Sequence, residues 1–281
     1  MSTPILYLGP EGTHSHEAAR RRFGARAKLM PCISHYEVFA RLCAGRRGAR
    51  HPLAVVPVEN SSEGPVTQTL DQLAHHPGVT ILDSFSLPVQ QHLLALPGTR
   101  FGAVRRVCSH PQPLGQCRGT LARLLPRAEL IPESSTAAAA RRAAQEPGTA
   151  AIASGAAARL HGLAILRRDV QDGEENVTRF FTLTAGRPPA RRAANSKGLR
   201  SLIYLVIGNR PGSLLHVLAP FDASEINLTF IQSRPLQGRP WEYGFFIEAA
   251  TDWRAPSAQA AWQLVRALSE SGRKIGTYPV A

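Results

Sequence analysis

Thr178 and Arg179 stand side by side in Glu175-Asn176-Val177-Thr178-Arg179-Phe180-Phe181, where the pattern reads as the entry to a strand. A hydroxyl next to a guanidinium can hold an anion and aim a hydrogen bond at a reacting oxygen. Three further clusters have a similar character: Gly9-Pro10-Glu11-Gly12-Thr13, Glu59-Asn60-Ser61-Ser62 and Ser109-His110-Pro111-Gln112. Each follows a short apolar run and precedes a helical pattern. Free amides and the dipole at a helix N-terminus favour negative charge. In open α/β sheets, ligands bind beyond the carboxyl ends of the strands. Together these clusters predict a cleft that reads a small polar anion. His110 is the side chain among them that titrates nearest neutral pH, which makes it the alternative proton donor to Thr178.

The elements that must position these residues follow from local pattern. Ile5–Gly9 is a strand, followed by a helix capped by Thr13 or Ser15 and stopped at Gly24. Ser34-His35-Tyr36-Glu37 is a capping box for a second helix ending near Gly45. Leu53–Asn60 reads as a buried strand, and the segment after it, Val66–His76, as a helix. Extended segments follow at Thr80–Leu96 and Arg105–Cys108, then one helix over Gln112–Leu125 and a strand at Ala128–Pro132. Ser134 or Ser135 caps an Ala-rich helix that stops at Pro147-Gly148, ahead of strand Thr149–Ser154, a short helix, and strand Leu163–Val170. Strands alternating with helices predict a mostly parallel sheet covered on both faces.

Ala185–Gly198 is rich in Pro, Gly, Ala and Arg without apolar periodicity and reads as a linker. Beyond it the order is strand 201–207, helix 212–224, strands 227–233 and 243–249, helix 257–270 and strand 275–280. That is βαββαβ, an α+β ferredoxin-like unit.

Composition removes several classes. At 281 residues, with 43% hydrophobic residues, the chain can bury a core without disulfides or metal. Cys32, Cys43, Cys108 and Cys117 have no zinc-ligand spacing and read as reduced thiols; no metal or cofactor is expected. No secretory signal and no membrane-spanning run is present, so a cytoplasmic protein without a membrane partner is expected. The net charge of +13 raises a nucleic-acid reading. Almost all the cations are arginines scattered in twos and threes, with no aromatic residues interleaved for base stacking, so no nucleic-acid partner is expected.

The strings YLGPEGTHSHEAA, VPVENSSEGPVTQTLD, SHPQPLGQC, STAAAA, AAIASGAAARLHGL and NVTRFF occur in the order found in prephenate dehydratases. NRPGSLLHVLAPF and INLTFIQSRP resemble the two ligand-binding segments of that family's ACT regulatory domain. The resemblance runs from about Ile5 to Val280. It implies a catalytic domain over 1–184, with two lobes like those of periplasmic binding proteins (about 1–80 with 165–184, and about 81–164). It also implies a linker over 185–198 and an ACT domain over 199–281. The implied reaction is loss of carbon dioxide and the ring hydroxyl from prephenate, giving phenylpyruvate for L-phenylalanine biosynthesis, with feedback by L-phenylalanine. A homodimer or homotetramer is implied, and no chorismate mutase activity is expected of a chain that starts at the first dehydratase strand.

By the same resemblance Thr178 is the proton or hydrogen-bond donor and Arg179 the carboxylate anchor. Asn60, Ser61, Ser109, His110, Gln112, Ser135, Thr136, Glu11, Gly12, Thr13 and Phe180 line the substrate site. Asn209, Pro211, Gly212, Ser213, Leu214, Asn227, Leu228, Gln232, Ser233 and Arg234 form the effector site. Three positions depart from the family pattern: Gln232 stands for glutamate, Ser213 for alanine and Gln91 for histidine. Two alternatives remain open: the same chemistry on arogenate, and a non-enzymatic amino-acid sensor. The intact Thr178-Arg179-Phe180 argues against a sensor, because a pure binder needs no donor at a leaving group.

Overall fold

The computed structural model describes residues 3–44, 52–173, 176–186 and 198–281. The predicted linker therefore lies largely outside the described residues, as do Gly45 and Glu175. In chain order the elements are β1 (Ile5–Leu8), α1 (His14–Phe23), β2 (Leu29–Cys32), α2 (His35–Cys43), β3 (Leu53–Asn60), β4 (Gly64–Pro65), α3 (Thr67–His75), β5 (Val79–Pro88) and β6 (His92–Ala95). Then come β7 (Arg106–Ser109), α4 (Pro111–Gln116), α5 (Arg118–Leu124), β8 (Glu129–Pro132), α6 (Thr136–Gln145), β9 (Thr149–Ala153), α7 (Gly155–His161), β10 (Ala164–Arg167) and β11 (Val177–Ala185). The C-terminal run is β12 (Leu199–Val206), α8 (Ser213–Ala223), β13 (Leu228–Pro235), β14 (Tyr243–Ala249), α9 (Pro256–Ala267) and β15 (Ser271–Pro279). This is a mixed α/β fold with several sheets, in two compact units.

The first unit comprises 1–38, 60–64 and 87–178. Its five-stranded sheet has the order β10-β6-β9-β7-β8. Strand alternation sends Leu93, Val107 and Ile152 to one face, where Leu114 of α4, Leu121 of α5 and Cys117 between the two helices cover them. Leu94, Cys108, Ala151 and Ala153 go to the other face, under the alanines of α6 and α7. Both faces are covered, but the sheet is not mostly parallel. β7 runs parallel to β8 and β9, whereas β6 is antiparallel to β9 and to β10. β1 and β2 form a further parallel pair.

Local chemistry explains where the helices of this unit begin. Thr13 caps α1, its hydroxyl accepting from His16 N at 3.2 Å, and Gly24 ends it. At α2 the Ser34 hydroxyl accepts from Glu37 N at 3.1 Å while Glu37 accepts from Ile33 N at 2.6 Å, a reciprocal box one residue out of its usual frame. Ser135 caps α6. The single helix expected over 112–125 is two, broken at Cys117, which leaves helical backbone at φ −111°.

The second unit comprises 39–59, 65–86 and 179–281. Here β11 lies between β3 and β5, and the C-terminal strands form an antiparallel sheet in the order β13-β14-β12-β15. Ile203, Leu205, Ile247 and Ala249 face α8 and α9 and make their core with Phe221, Val265 and Trp253. By alternation the opposite face carries Leu202, Tyr204, Phe246 and Glu248. On α3, Asp71 takes a bidentate pair from Arg234 at 2.7 and 2.8 Å, and the Leu73 carbonyl accepts from Arg273. The chain end closes on β5, Ala281 N donating to Ser84 O at 2.8 Å.

Candidate functional site

Asn60 closes β3 and Thr178 is the second residue of β11, 118 positions later in the chain. Both are buried. Asn60 Oδ1 accepts from two backbone amides, Ser62 N at 3.0 Å and Glu63 N at 3.2 Å. Those two donors fix the orientation of the amide, because a backbone N–H cannot donate to an NH₂ group. Nδ2 must then face the other way, where it donates to Asn176 Oδ1 at 2.5 Å and to Thr178 Oγ at 2.9 Å. Thr178 Oγ is therefore the acceptor in this contact, and its own proton points elsewhere. Among the described residues no protein acceptor takes that proton. The arrangement is a buried hydroxyl polarised from behind by an amide and free to donate in front.

The surrounding residues lock this pair in place. Asn176 Nδ2 donates to Gln116 Oε1 at 3.1 Å, and Gln116 Nε2 reaches Glu63 Oε1 at 3.4 Å. Ser61 N donates to Val177 O at 2.9 Å, and Ser61 Oγ accepts from Val177 N at 3.0 Å. Ser61 thus makes strand-like bonds that seat the entry of β11 against the 60–64 loop.

The chain matches the family model described as prephenate dehydratase over residues 5–187. The chain belongs to the prephenate dehydratase family. The bifunctional chorismate mutase/prephenate dehydratase of Stutzerimonas stutzeri is 35% identical over 277 residues, covering 99% of this chain and 73% of that one. Among solved structures, the prephenate dehydratase of Arthrobacter aurescens in complex with L-Phe superposes with a TM-score of 0.88 at 30% identity, covering 99% of this chain and 90% of that one. A protein described as GqqA, a novel type of quorum quenching acylase, has a TM-score of 0.87 at 28% identity over 99% of this chain and 98% of its own.

The other residues expected at the site of a prephenate dehydratase fall into three groups. Glu11, Gly12 and Thr13 form the turn before α1. Gly12 sits at φ +86°, donates its N–H to His16 Nδ1 at 3.0 Å and accepts from Ser154 Oγ at 3.1 Å. Burial pushes the His16 pKa down, which keeps the ring neutral and Nδ1 able to accept. Ser135 and Thr136 open α6, and the Ser135 hydroxyl is committed to Ala138 N at 3.0 Å. Ser109 and His110 are also committed: Ser109 Oγ donates to Ile152 O at 2.7 Å, and the exposed His110 ring accepts from Gln112 N as the cap of α4. Neither is bonded to Thr178.

Two expected residues stand apart from this cluster. Phe180 is fully buried and stacks on Phe85 at 5.7 Å between centroids. Arg179, expected to anchor a carboxylate of the substrate, lies on the opposite face of β11 from Thr178, as strand alternation requires. Its Nη1 donates to both oxygens of Glu248, at 2.9 and 2.7 Å, and its Nη2 pairs with Glu59 at 3.0 Å. Two protein carboxylates already occupy the guanidinium.

Sequence reasoning missed Asn176, Gln116, Ser154 and Glu248. Asn176 and Gln116 lie inside the strings NVTRFF and SHPQPLGQC, so the signal was present. Nothing local marks Glu248.

In the C-terminal segment, Gly212 at φ +82° opens α8 beside Asn209, Pro211, Ser213 and Leu214. Asn227 and Leu228 line a cavity of about 410 Å³ with Leu218, Phe221 and Ile226. Gln232 Nε2 donates to the Ser233 carbonyl at 2.9 Å, and Arg234 is held by Asp71, which pushes its pKa up. Among the described residues no cluster of His, Cys, Asp or Glu could hold a metal ion, all four cysteines are free, and no helix is long and apolar enough to cross a membrane.

Proposed function

We propose that this chain converts prephenate to phenylpyruvate, with Thr178 as the donor to the departing ring hydroxyl. The observation that carries this reading is the Asn60 to Thr178 hydrogen bond, whose direction leaves the threonine proton free to donate. Loss of carbon dioxide makes the ring aromatic, so the driving force lies in the substrate. The protein has to hold a dianion and relieve the charge that builds on the leaving oxygen. As the Thr178 proton moves toward that oxygen, negative charge develops on Oγ, where Asn60 Nδ2 already donates. Thr178 is restored by a proton from water, and the balance is prephenate dianion plus one proton giving phenylpyruvate, carbon dioxide and water.

A nucleophilic hydroxyl would need the reverse arrangement, with a base accepting its proton. Among the described residues Thr178 has none. The acylase reading of the GqqA neighbour is therefore not carried over. The amide-rich turn Glu11-Gly12-Thr13 before α1 and the Ser135-Thr136 start of α6 supply N-terminal amides for the substrate carboxylates, and the net charge of +13 draws a dianion in. Asn60, Ser61 and Asn176 orient the donor. In this reading Ser109, His110 and Gln112 serve the loop that frames the site.

The same proposal takes the lobes as like those of periplasmic binding proteins, and residues 199–281 as a ferredoxin-like ACT domain. That domain binds L-phenylalanine through the 209–214 turn and the 227–234 strand. The L-Phe complex of the Arthrobacter aurescens relative supports the effector, and the βαββαβ order with the Gly212 turn supports the domain. A cytoplasmic homodimer or homotetramer completes the proposal. The test is phenylpyruvate formation from prephenate by ultraviolet absorbance, with and without phenylalanine. Turnover of arogenate alone would move the substrate, and absence of turnover on both would end the enzyme reading.

A further inference from the structure

Glu248 is 1% exposed, on the sheet face turned away from α8 and α9. A carboxylate that deep is tolerated only when its charge is paired and its lone pairs are filled. Here Arg179 Nη1 contacts both oxygens, Thr229 Oγ donates at 2.5 Å, Tyr278 Oη donates at 2.6 Å, and Arg200 Nε lies 3.9 Å away. Burial and the neighbouring Glu248 push the Tyr278 pKa well up, which keeps that phenol a donor. The pairing of β13 with β14 shifts register between Leu228 and Phe230. Such an irregularity re-aims side chains. It lets Thr229 reach Glu248 while the Phe230 ring lies 5.4 Å from the Arg179 guanidinium, with Phe181 at 5.7 Å on β11 itself.

Every group that fixes Glu248 apart from Arg179 belongs to the C-terminal sheet, and Arg179 is bonded through the backbone to Thr178. We infer that Glu248 is a positioning residue for the dehydratase reaction: through Arg179 it lets the C-terminal segment fix the strand that presents Thr178. The inference rests on the proposed role of Thr178. Thr178 and Arg179 share a peptide bond, so the backbone held at Arg179 is the backbone that carries Thr178.

The experiment is a double-mutant cycle on the full chain, using Glu248→Gln, Arg179→Gln and the pair, read by kcat and KM for prephenate. Glu248→Gln should lower kcat about tenfold or more with KM changed by less than about threefold, since the loss falls on the transition state. The double variant should be no slower than Arg179→Gln alone, because both changes break one link. Additive losses, or a rise in KM at unchanged kcat, would overturn the inference. Thr229→Val removes one bond to the same carboxylate and should give a smaller loss in the same direction; it stands in if Glu248→Gln does not fold. Amide hydrogen exchange at 177–181 gives a reading independent of turnover. It should speed up in Glu248→Gln, and unchanged exchange there would count against the clamp. If the wild type turned over neither prephenate nor arogenate, the dehydratase reading would fall, while the exchange result would still decide whether Glu248 holds β11.

Discussion

The Asn60 side chain donates to the Thr178 hydroxyl across 2.9 Å, and two backbone amides at 62 and 63 leave it no other orientation. A threonine proton is a poor acid in water. A donor fixed behind its oxygen lowers the cost of the charge left there and directs the proton forward. In the proposed reaction the donor is then the pair of residues and not Thr178 alone.

Thr178→Ala is expected to lose about a hundredfold or more in kcat, ~3 kcal/mol of transition-state stabilisation, with a small change in KM. Thr178→Ser keeps the hydroxyl and should retain most of the rate. Steady-state kinetics on prephenate decide this; a Thr178→Ala enzyme with full kcat would remove the donor role.

Asn60→Asp separates positioning from polarisation. A carboxylate still accepts from Ser62 N and Glu63 N, so those two bonds remain, while the donation to Asn176 Oδ1 is lost. It cannot donate to Thr178, and it captures the threonine proton instead. A folded enzyme with kcat lower by about a hundredfold is expected. Asn60→Asp with normal turnover would show that the amide only shapes the loop.

Much of this organisation is legible in the residues, for identifiable reasons. Thr13, Ser34 and Ser135 announce helix starts because a side-chain oxygen replaces a missing backbone acceptor. The Ala-rich α6 ends near Pro147 because proline cannot continue it. Strand direction is not legible: side chains alternate between the two faces whether a strand's neighbours run parallel or antiparallel, so nothing in β6 or β10 marks them as antiparallel. β2 escaped notice because Leu29-Met30-Pro31-Cys32 carries a proline and no alternation. At the site, Asn60 and Thr178 were visible as residue types at strand ends. Asn176 stands in the strand-entry pattern, where nothing local separates a structural asparagine from one that bonds across the site. The capture of Arg179 by Glu248, 69 positions away, is a tertiary fact that no local pattern encodes.

Acid should loosen the turn that holds Gly12. His16 is buried, accepts from Gly12 N, and has its pKa pushed below the usual 6.5 by desolvation, as do His14 and His92. A lowered folded-state pKa means that the unfolded chain takes up protons first as pH falls. The stability these groups contribute is fully present above 6.5 and is lost progressively as pH drops from there toward their folded values. The unfolding free energy from urea titration should be lower at pH 5.5 than at pH 7.5. In His16→Gln, where an amide oxygen can still accept, the fall should be smaller. An identical pH slope in the variant would take His16 out of the account.

The effector proposal makes Gly212 its most exposed point. At φ +82° a residue with a β-carbon pays for left-handed backbone, and an added Cβ would also stand 3.3 Å from the His216 ring. Gly212→Ala should therefore cost about 1–2 kcal/mol locally and shift the 209–214 turn. If phenylalanine binds there, the variant should keep kcat on prephenate without effector but need about tenfold more phenylalanine for the same response. Isothermal titration with phenylalanine, alongside turnover, separates the two effects. Unchanged phenylalanine affinity in a variant whose turn has moved would place the effector elsewhere in the C-terminal segment.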